Sequence, residues 1–264
     1  MALFSGSVFS HALGLDTQIG VIFPDIPYDI ESRWKKPALL TLLHGLTDNA
    51  TGWARLTQAE YFAKVYNFVI VMPEVQRSQY CDMVYGGKYF TYVSEELPEL
   101  AGAIFNLPTG KENTFIAGLS MGGYGSLKVA LSSPERYGGV ASFSGGVDTK
   151  NLVRMMLDPE NERAAPGDIM AIFGTQDVDQ IENTVFALAR QVAARPDRPR
   201  LLQTCGTEDF LYDDNRRLKE TLQQAGYGHT YLEWSGGHEW PFWNRSLELA
   251  MQFFRGEDVA APAK

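Results

Sequence analysis

The chain has 264 residues, 45% of them hydrophobic and 21% charged, which suits one large globular domain with a sizeable core. A formal net charge of −9 and a pI near 5.0 argue against nucleic acid and anionic membrane surfaces as partners. No apolar run approaches the ~20 residues of a membrane span. The opening Met1-Ala2-Leu3-Phe4-Ser5 has neither the basic region nor the apolar core of a signal peptide. Two well-separated cysteines, Cys81 and Cys205, point to free thiols in a reducing, cytoplasmic compartment, with Cys205 as a small buried packer. No His, Cys and carboxylate cluster has metal-ligand spacing and no glycine loop has phosphate-binding form, so no cofactor is expected.

Along the chain, the first 25 residues alternate through Val8, Leu13, Ile19, Val21, Ile22 and Phe23 and read as an antiparallel hairpin. Strands and helices then take turns: strand 38–43, helix near 54–65, strand 68–72, helix near 91–105, strand 113–117, helix 122–132, strand 139–144. That rhythm predicts a doubly wound, mostly parallel sheet. From Gly145 to about Arg198 the rhythm breaks in a polar stretch holding Pro159, Pro166, Pro196 and Pro199, with helical pieces near 149–157 and 178–194. Residues 146–198 read as a small helical cap inserted between two strands. The plainer alternative is an ordinary crossover with extra turns. Strand 200–205, helix 213–225, strand 229–234 and helix 241–255 complete the pattern, and residues 256–264 read as a frayed tail.

One pentapeptide in this series carries chemistry. Gly118-Leu119-Ser120-Met121-Gly122 lies between the apolar run Asn113–Ala117 and a glycine-rich helix start. Strand, Gly-x-Ser-x-Gly, helix is the nucleophile elbow, a turn so tight that only small residues fit beside the serine. A serine hydroxyl needs a base, and the base needs an orienting acid, in the chain order Ser, Asp or Glu, His. Only His229 and His238 follow Ser120. His238 stands in the loop after strand 229–234 and His229 opens that strand at its far end, so His238 is the expected base. For the acid, Gly206-Thr207-Glu208-Asp209 follows strand 200–205 and nominates Asp209. A rival, Gly174-Thr175-Gln176-Asp177, follows the apolar run Met170–Phe173 in the same wording. Asp209 is preferred because strand, acid, helix, strand and histidine then run in order. Asp213 and Asp214 read as acidic residues of a helix's first turn. The oxyanion donors expected of an α/β-hydrolase fold are the backbone N–H groups of Met121 and of Leu46, in the His44-Gly45-Leu46 loop after strand 38–43. His44 itself is expected to pack and to hydrogen-bond that loop.

Taken together, His44-Gly45-Leu46 with Asp48-Asn49 and Trp53, the run Gly118–Gly125, Gly237-His238-Glu239-Trp240 and the Glu95-Glu96-Leu97-Pro98 segment resemble the esterase D branch of the α/β-hydrolases. The similarity is strongest to its bacterial tributyrin-esterase type and spans roughly residues 5 to 255. The branch also holds S-formylglutathione hydrolases, feruloyl and acetyl-xylan esterases and, more distantly, mycolyltransferases, and the motifs are shared by all of them. The resemblance implies a serine carboxylesterase acting on short-chain acyl esters, acetyl-sugar or feruloyl esters among them.

In such an enzyme His238 takes the Ser120 proton as the serine attacks the ester carbonyl, Asp209 holds the imidazole, and the Leu46 and Met121 amides take the oxyanion. Trp53, Trp234, Trp240, Phe242 and Trp243 are candidates for an acyl or aryl pocket, and Tyr80, Tyr85 and Tyr89 for its alcohol side. Core packing is the competing role for each. The expected partner is a small-molecule ester, with a homo-oligomer as an option. Rival readings are S-formylglutathione hydrolysis, acyl transfer, and a catalytically silent binding module on the same fold.

Overall fold

The computed structural model describes residues 1–25, 36–107 and 110–262. Its centre is built by short apolar strands, β3 (Ala38–Leu43), β4 (Phe68–Pro73) and β5 (Thr114–Leu119), which are buried almost throughout. A strand can be apolar on successive residues only where both of its faces are covered. Here alternate residues go to opposite layers. Leu39, Leu43, Val69, Val71 and Ile116 join one core, while Leu40, Leu42, Phe68, Ile70, Phe115 and Ala117 join the other. Cutting one of them back, as in Leu40→Ala, is expected to cost about 2–5 kcal/mol of stability.

With β1 (Ala2–Ser10), β2 (Leu15–Phe23), β6 (Gly139–Phe143), β7 (Arg200–Gly206) and β8 (Thr230–Trp234) these strands form one eight-stranded sheet in the order β1-β2-β4-β3-β5-β6-β7-β8. The hairpin β1–β2 is antiparallel and joins β4 antiparallel, and every pairing from β4 to β8 is parallel. The parallel strands therefore end along one edge, and the loops that follow them meet there.

Several helices depart from the sequence expectation. The single helix near 54–65 is two, α1 (Gly52–Leu56) and α2 (Ala59–Tyr66), divided where the Thr57 hydroxyl bonds back to the Trp53 carbonyl. The helix expected from residue 91 opens at Tyr89 and passes through a π-helical turn, Tyr92–Glu96, into α3 (Leu97–Phe105). The elbow helix α4 spans Met121–Ser132. Between β6 and β7 lie α5 (Thr149–Leu157), α6 (Pro166–Phe173) and α7 (Thr184–Val192). The piece expected over 178–194 is thus shorter. The apolar run at Met170 is the end of a helix with Pro166 in its first turn and Gly174, at φ +70°, closing it. Helices α8 (Tyr212–Gln224) and α9 (Trp240–Phe254) complete the chain. Glu257–Pro262 carry no helix or strand, and the rest of the tail lies outside the described residues.

Val153, Met156, Ile169 and Ile181 form a small core of their own over the sheet's carboxyl edge. It is fastened on two sides. Arg77 binds Asp168 at 2.6 Å, and the Val84 and Tyr85 amides donate to the Ile172 and Ala171 carbonyls. Opposite, Asn151 donates to both oxygens of buried Asp214, and Arg217 joins Asp214 to Asp148. Asp213 and Asp214 do lie in the first turn of α8, but Asp214 is also a buried anchor whose carboxyl burial pushes above its ordinary range.

Candidate active site

Ser120 sits between β5 and α4 with φ 52° and ψ −117°, a backbone conformation that a non-glycine residue adopts only when its surroundings impose it. Three hydrogen bonds hold it: its N–H donates to the Phe143 carbonyl at 2.9 Å, and its own carbonyl accepts from Gly146 at 3.0 Å and Tyr124 at 3.1 Å. The flanking glycines are required by close approach. A Cβ on Gly118 would lie 2.4 Å from the Gly122 carbonyl oxygen, and one on Gly122 would lie 2.4 Å from the Leu43 oxygen.

Asp209 and His238 are joined in this site. His238 Nδ1 lies 2.9 Å and 3.1 Å from the two oxygens of Asp209, which is buried and also accepts the Leu211 N–H at 2.9 Å. Nδ1 therefore carries the proton and donates, leaving Nε2 free to accept one. Burial alone would raise the Asp209 carboxyl, but the His238 contact and the Leu211 amide outweigh it and hold the group below its ordinary value. Phe210, at 4.6 Å, and Trp243, edge-on at 4.9 Å, flank the imidazole.

Glu208 ties the two loops together. Its carboxylate accepts the Gly236 N–H while its own N–H donates to the Gly236 carbonyl at 3.2 Å, and the Gly236 bond draws the carboxyl below its ordinary range. Gly206 allows the approach, since a Cβ there would stand 2.0 Å from the Gly236 oxygen. A second brace runs from Gln203 on β7 to Asn215 on α8, whose Nδ2 donates to the Gly145 carbonyl beside the Gly146 amide that holds Ser120. Sequence reading missed Glu208, Phe210, Trp243 as a partner of the imidazole, and Asn215. Only Glu208 carried a signal, a carboxylate beside the expected acid.

Ser120, Met121, Leu46 and His238 line one cavity of about 660 Å³ at the sheet's carboxyl edge, and Asp209 stands behind His238. Among the described residues the Ser120 hydroxyl forms no hydrogen bond, a looseness that substrate-free sites commonly show. Neither the Leu46 nor the Met121 N–H donates to another described group, so both amides are available at the cavity. His44 packs as expected: Nδ1–H donates to the Gly45 carbonyl at 2.7 Å and Nε2 accepts the Val75 N–H at 3.1 Å.

The expected pocket aromatics divide. Trp240 and Trp243 are in the cavity wall, but Trp53 and Tyr80 are not. Trp53 is buried beneath Trp240, at 5.5 Å, and donates Nε1–H to the Leu43 carbonyl. Tyr80 is fully buried and donates its hydroxyl to the His44 carbonyl, so it supports the His44-Gly45-Leu46 loop. Tyr85 is exposed and Tyr89 buried away from the wall. Leu152, Met155 and Met156 of α5 and Arg163 of the turn after it enter the wall, and Arg163 stacks on Phe210 at 4.3 Å. The expected rival Asp177 is exposed and does not line the cavity. Cys81 and Cys205 are free and buried, and burial pushes the Cys205 thiol far up. Among the described residues no group of three or more His, Cys, Asp or Glu side chains is placed to hold a metal ion, and no helix is long and apolar enough to cross a membrane.

A parallel sheet with a serine on its elbow and a carboxylate-held imidazole beside it defines a class, the serine ester hydrolases of the α/β-hydrolase fold. The Esterase family model matches residues 10–254, and the chain belongs to that family. It is 30% identical to an acetyl esterase of Caldicellulosiruptor saccharolyticus, over 96% of this chain and 98% of that protein. Among solved structures it is similar to the fluorophosphonate-binding serine hydrolase F of Staphylococcus aureus, with TM-score 0.81, 28% identity and coverage of 96% and 98% of the two chains. The S-formylglutathione hydrolase FrmB of the same organism gives TM-score 0.82 and 29% identity at the same coverage. The chain is a carboxylesterase.

Proposed function

We propose that this carboxylesterase hydrolyses short-chain acyl esters through Ser120, His238 and Asp209. The observation that carries the reading is the 2.9 Å contact of His238 with buried Asp209 in a cavity that also holds the elbow serine. His238 Nε2 takes the proton of Ser120 as its Oγ attacks the carbonyl carbon, and Asp209 fixes the tautomer and stabilises the imidazolium. The Leu46 and Met121 amides hold the oxyanion, an interaction worth roughly 3–4 kcal/mol per donor in related chemistry. His238 then returns the proton to the leaving oxygen, the alcohol departs, and water opens the acyl-enzyme by the same path.

Residues 146–198 act in this reading as a cap. Leu152, Met155 and Met156 close part of the cavity wall, and a confined cavity favours small acyl groups. The similarity to an acetyl esterase supports the same direction. Rates on p-nitrophenyl esters are expected to peak between acetyl and butanoyl and to fall steeply by octanoyl. A rise continuing to dodecanoyl removes the cap from this role. Free Cys81 and Cys205 fit a cytoplasmic setting.

Ser120→Ala is expected to lose on the order of 10⁶ in kcat with an unchanged circular dichroism spectrum. The same substitution is expected to abolish labelling by a fluorophosphonate probe. Activity above a tenth of wild type in that variant excludes Ser120 as the nucleophile.

One observation favours a second substrate. Arg163 lines the cavity against Phe210 and offers a guanidinium to an anionic leaving group. The carboxylates of a glutathione thioester meet that description, as the likeness to FrmB suggests. Comparing kcat/KM for S-formylglutathione and p-nitrophenyl acetate separates the two substrates, and a large excess for the thioester replaces the short-chain ester reading.

A further inference from the structure

The wall of the cavity contains polar atoms that neither the fold nor the catalytic reading uses. Gln79 is 2% exposed and lines the cavity, yet neither its Nε2 nor its Oε1 has a hydrogen-bond partner. Asp48 lines the same cavity and leaves its buried Oδ2 without a partner, the nearest cation being Arg55, 3.9 Å from the other oxygen. A buried amide or carboxylate without a partner destabilises the fold, so groups of this kind persist where something else supplies the bond.

The loop that carries Gln79 is held in an unfavourable backbone conformation. Gln76, Gln79 and Tyr80 all have positive φ, at 52°, 52° and 48°. Buried Tyr80 anchors the segment through its bond to the His44 carbonyl, and Lys128 donates Nζ–H to the Tyr80 carbonyl at 3.1 Å. Strain of this kind, imposed by surrounding contacts, clusters at ligand sites. The loop is fixed, and only the soft terminal torsion of the Gln79 amide remains to turn toward the cavity.

Topology says which part of a substrate these groups meet. Asp48 follows β3 and Gln79 follows β4, on one side of Ser120 in the sheet order, while Asp209 and His238 follow β7 and β8 on the other. The leaving oxygen must lie against His238 to receive its proton. The leaving group therefore extends toward β7 and β8, and the acyl chain toward β3 and β4. We propose that Gln79 and Asp48 form a hydroxyl-recognising subsite on the acyl side, so that the preferred substrates are esters of short hydroxy acids. A hydroxyl accepts from the Gln79 Nε2–H and donates to the Asp48 carboxylate. A plain alkyl chain leaves both unpaired, a carboxylate is repelled by Asp48, and an ammonium has no use for the amide N–H. This inference rests on Ser120 and His238 being the catalytic pair.

The test compares kcat/KM for p-nitrophenyl 3-hydroxybutanoate, butanoate and 3-aminobutanoate, each divided by its rate with hydroxide, in wild type and in Gln79→Leu. Wild type is expected to favour the hydroxy ester over butanoate by about tenfold or more, since a buried polar site discriminates strongly against a substrate lacking the matching group. Gln79→Leu is expected to collapse that ratio at least severalfold, and its Tm is expected to rise because an unpartnered amide has been removed from the interior. Equal ratios in the two proteins, a wild-type preference for the aminoacyl ester, or a lower Tm with equal loss on every substrate overturns the subsite. Labelling with a fluorophosphonate is run alongside. A protein that labels at Ser120 and shows no hydroxyacyl preference loses this inference alone, whereas one that does not label loses the catalytic reading and the subsite with it.

Discussion

Two loops in this chain have the same wording and opposite fates. Gly206-Thr207-Glu208-Asp209 and Gly174-Thr175-Gln176-Asp177 each follow an apolar run. The first leaves a buried parallel strand, and its aspartate is buried against His238. The second leaves the end of a helix, and its aspartate is exposed, accepting the Asp179 amide at 3.0 Å and the Gln180 side chain at 2.9 Å. A Gly-Thr-x-Asp turn is thus chemically neutral. The element before it decides whether its carboxylate meets a histidine or only caps a turn of its own.

The sharpest way to break the comparison is to make the same change in both loops. Asp209→Asn keeps the shape but lets the imidazole adopt the other tautomer, so Nε2 no longer accepts the serine proton. The expected loss is on the order of 10⁴ in kcat near neutral pH. The depressed Asp209 carboxyl also links to stability. A carboxylate whose folded value is lowered contributes stability that is complete above its unfolded value and is lost as pH falls through the folded one. The ordinary value being 3.8, wild type is expected to lose this contribution only below about pH 4, and Asp209→Asn to show a shallower acid limb there. Urea titrations of both proteins between pH 2.5 and 6 measure the difference, and parallel limbs contradict it.

A smaller effect is expected at Glu208, which separates the working loop from its look-alike, where Gln176 stands at the equivalent place. Glu208 holds the Gly236 amide and so sets the distance between the acid loop and the histidine loop. Glu208→Ala is expected to lower kcat by about tenfold with little change in KM, because the chemistry is misaligned and the cavity wall is intact. Glu208→Gln keeps an oxygen acceptor and is expected to recover most of the rate. If Ala and Gln lose equally, the charge rather than the tether matters.

Much of this was legible beforehand because the signals are local. Strand 38–43 was fixed by an unbroken apolar run, and Ser120 by glycines whose absent side chains the backbone contacts require. The helix 166–173 was harder, since Ile169–Phe173 is too short a run for its period to show. Pro166 and Gly174 were the start and stop marks that distinguish it from a strand. The wall of the cavity was legible only in part, at Leu46, Met121, Trp240 and Trp243. Asp48, Gln79 and Arg163 come from three loops whose meeting depends on strand order. Trp53 and Tyr80 have the residue type of pocket aromatics but face the interior, and nothing within a few residues of them specifies which way they turn.

The smallest expected effect is the other half of the swap, and it carries the most weight for the comparison. Asp177→Asn removes a charge from an exposed side chain whose hydrogen bonds are confined to its own turn. Asparagine caps a turn about as well as aspartate, so the stability change is expected to stay within about 0.5 kcal/mol. Any effect on rate has to travel through α5 and α6 to reach the cavity. That path runs through Met156 and Leu152, which belong to the small core with Ile169 and Ile181, whereas the exposed Asp177 carboxylate accepts from Asp179 and Gln180 in its own turn. The kcat is therefore expected to change by less than about threefold, with matched circular dichroism spectra as the control for folding. A fall near 10⁴ in Asp177→Asn, with Asp209→Asn still active, contradicts the assignment of the acid and the path from β6 to β7 together. A ten- to hundredfold rise in KM alone points elsewhere. It makes the helices after β6 a part of substrate binding that responds to charge at their far end, and the two loops then differ in role rather than in importance.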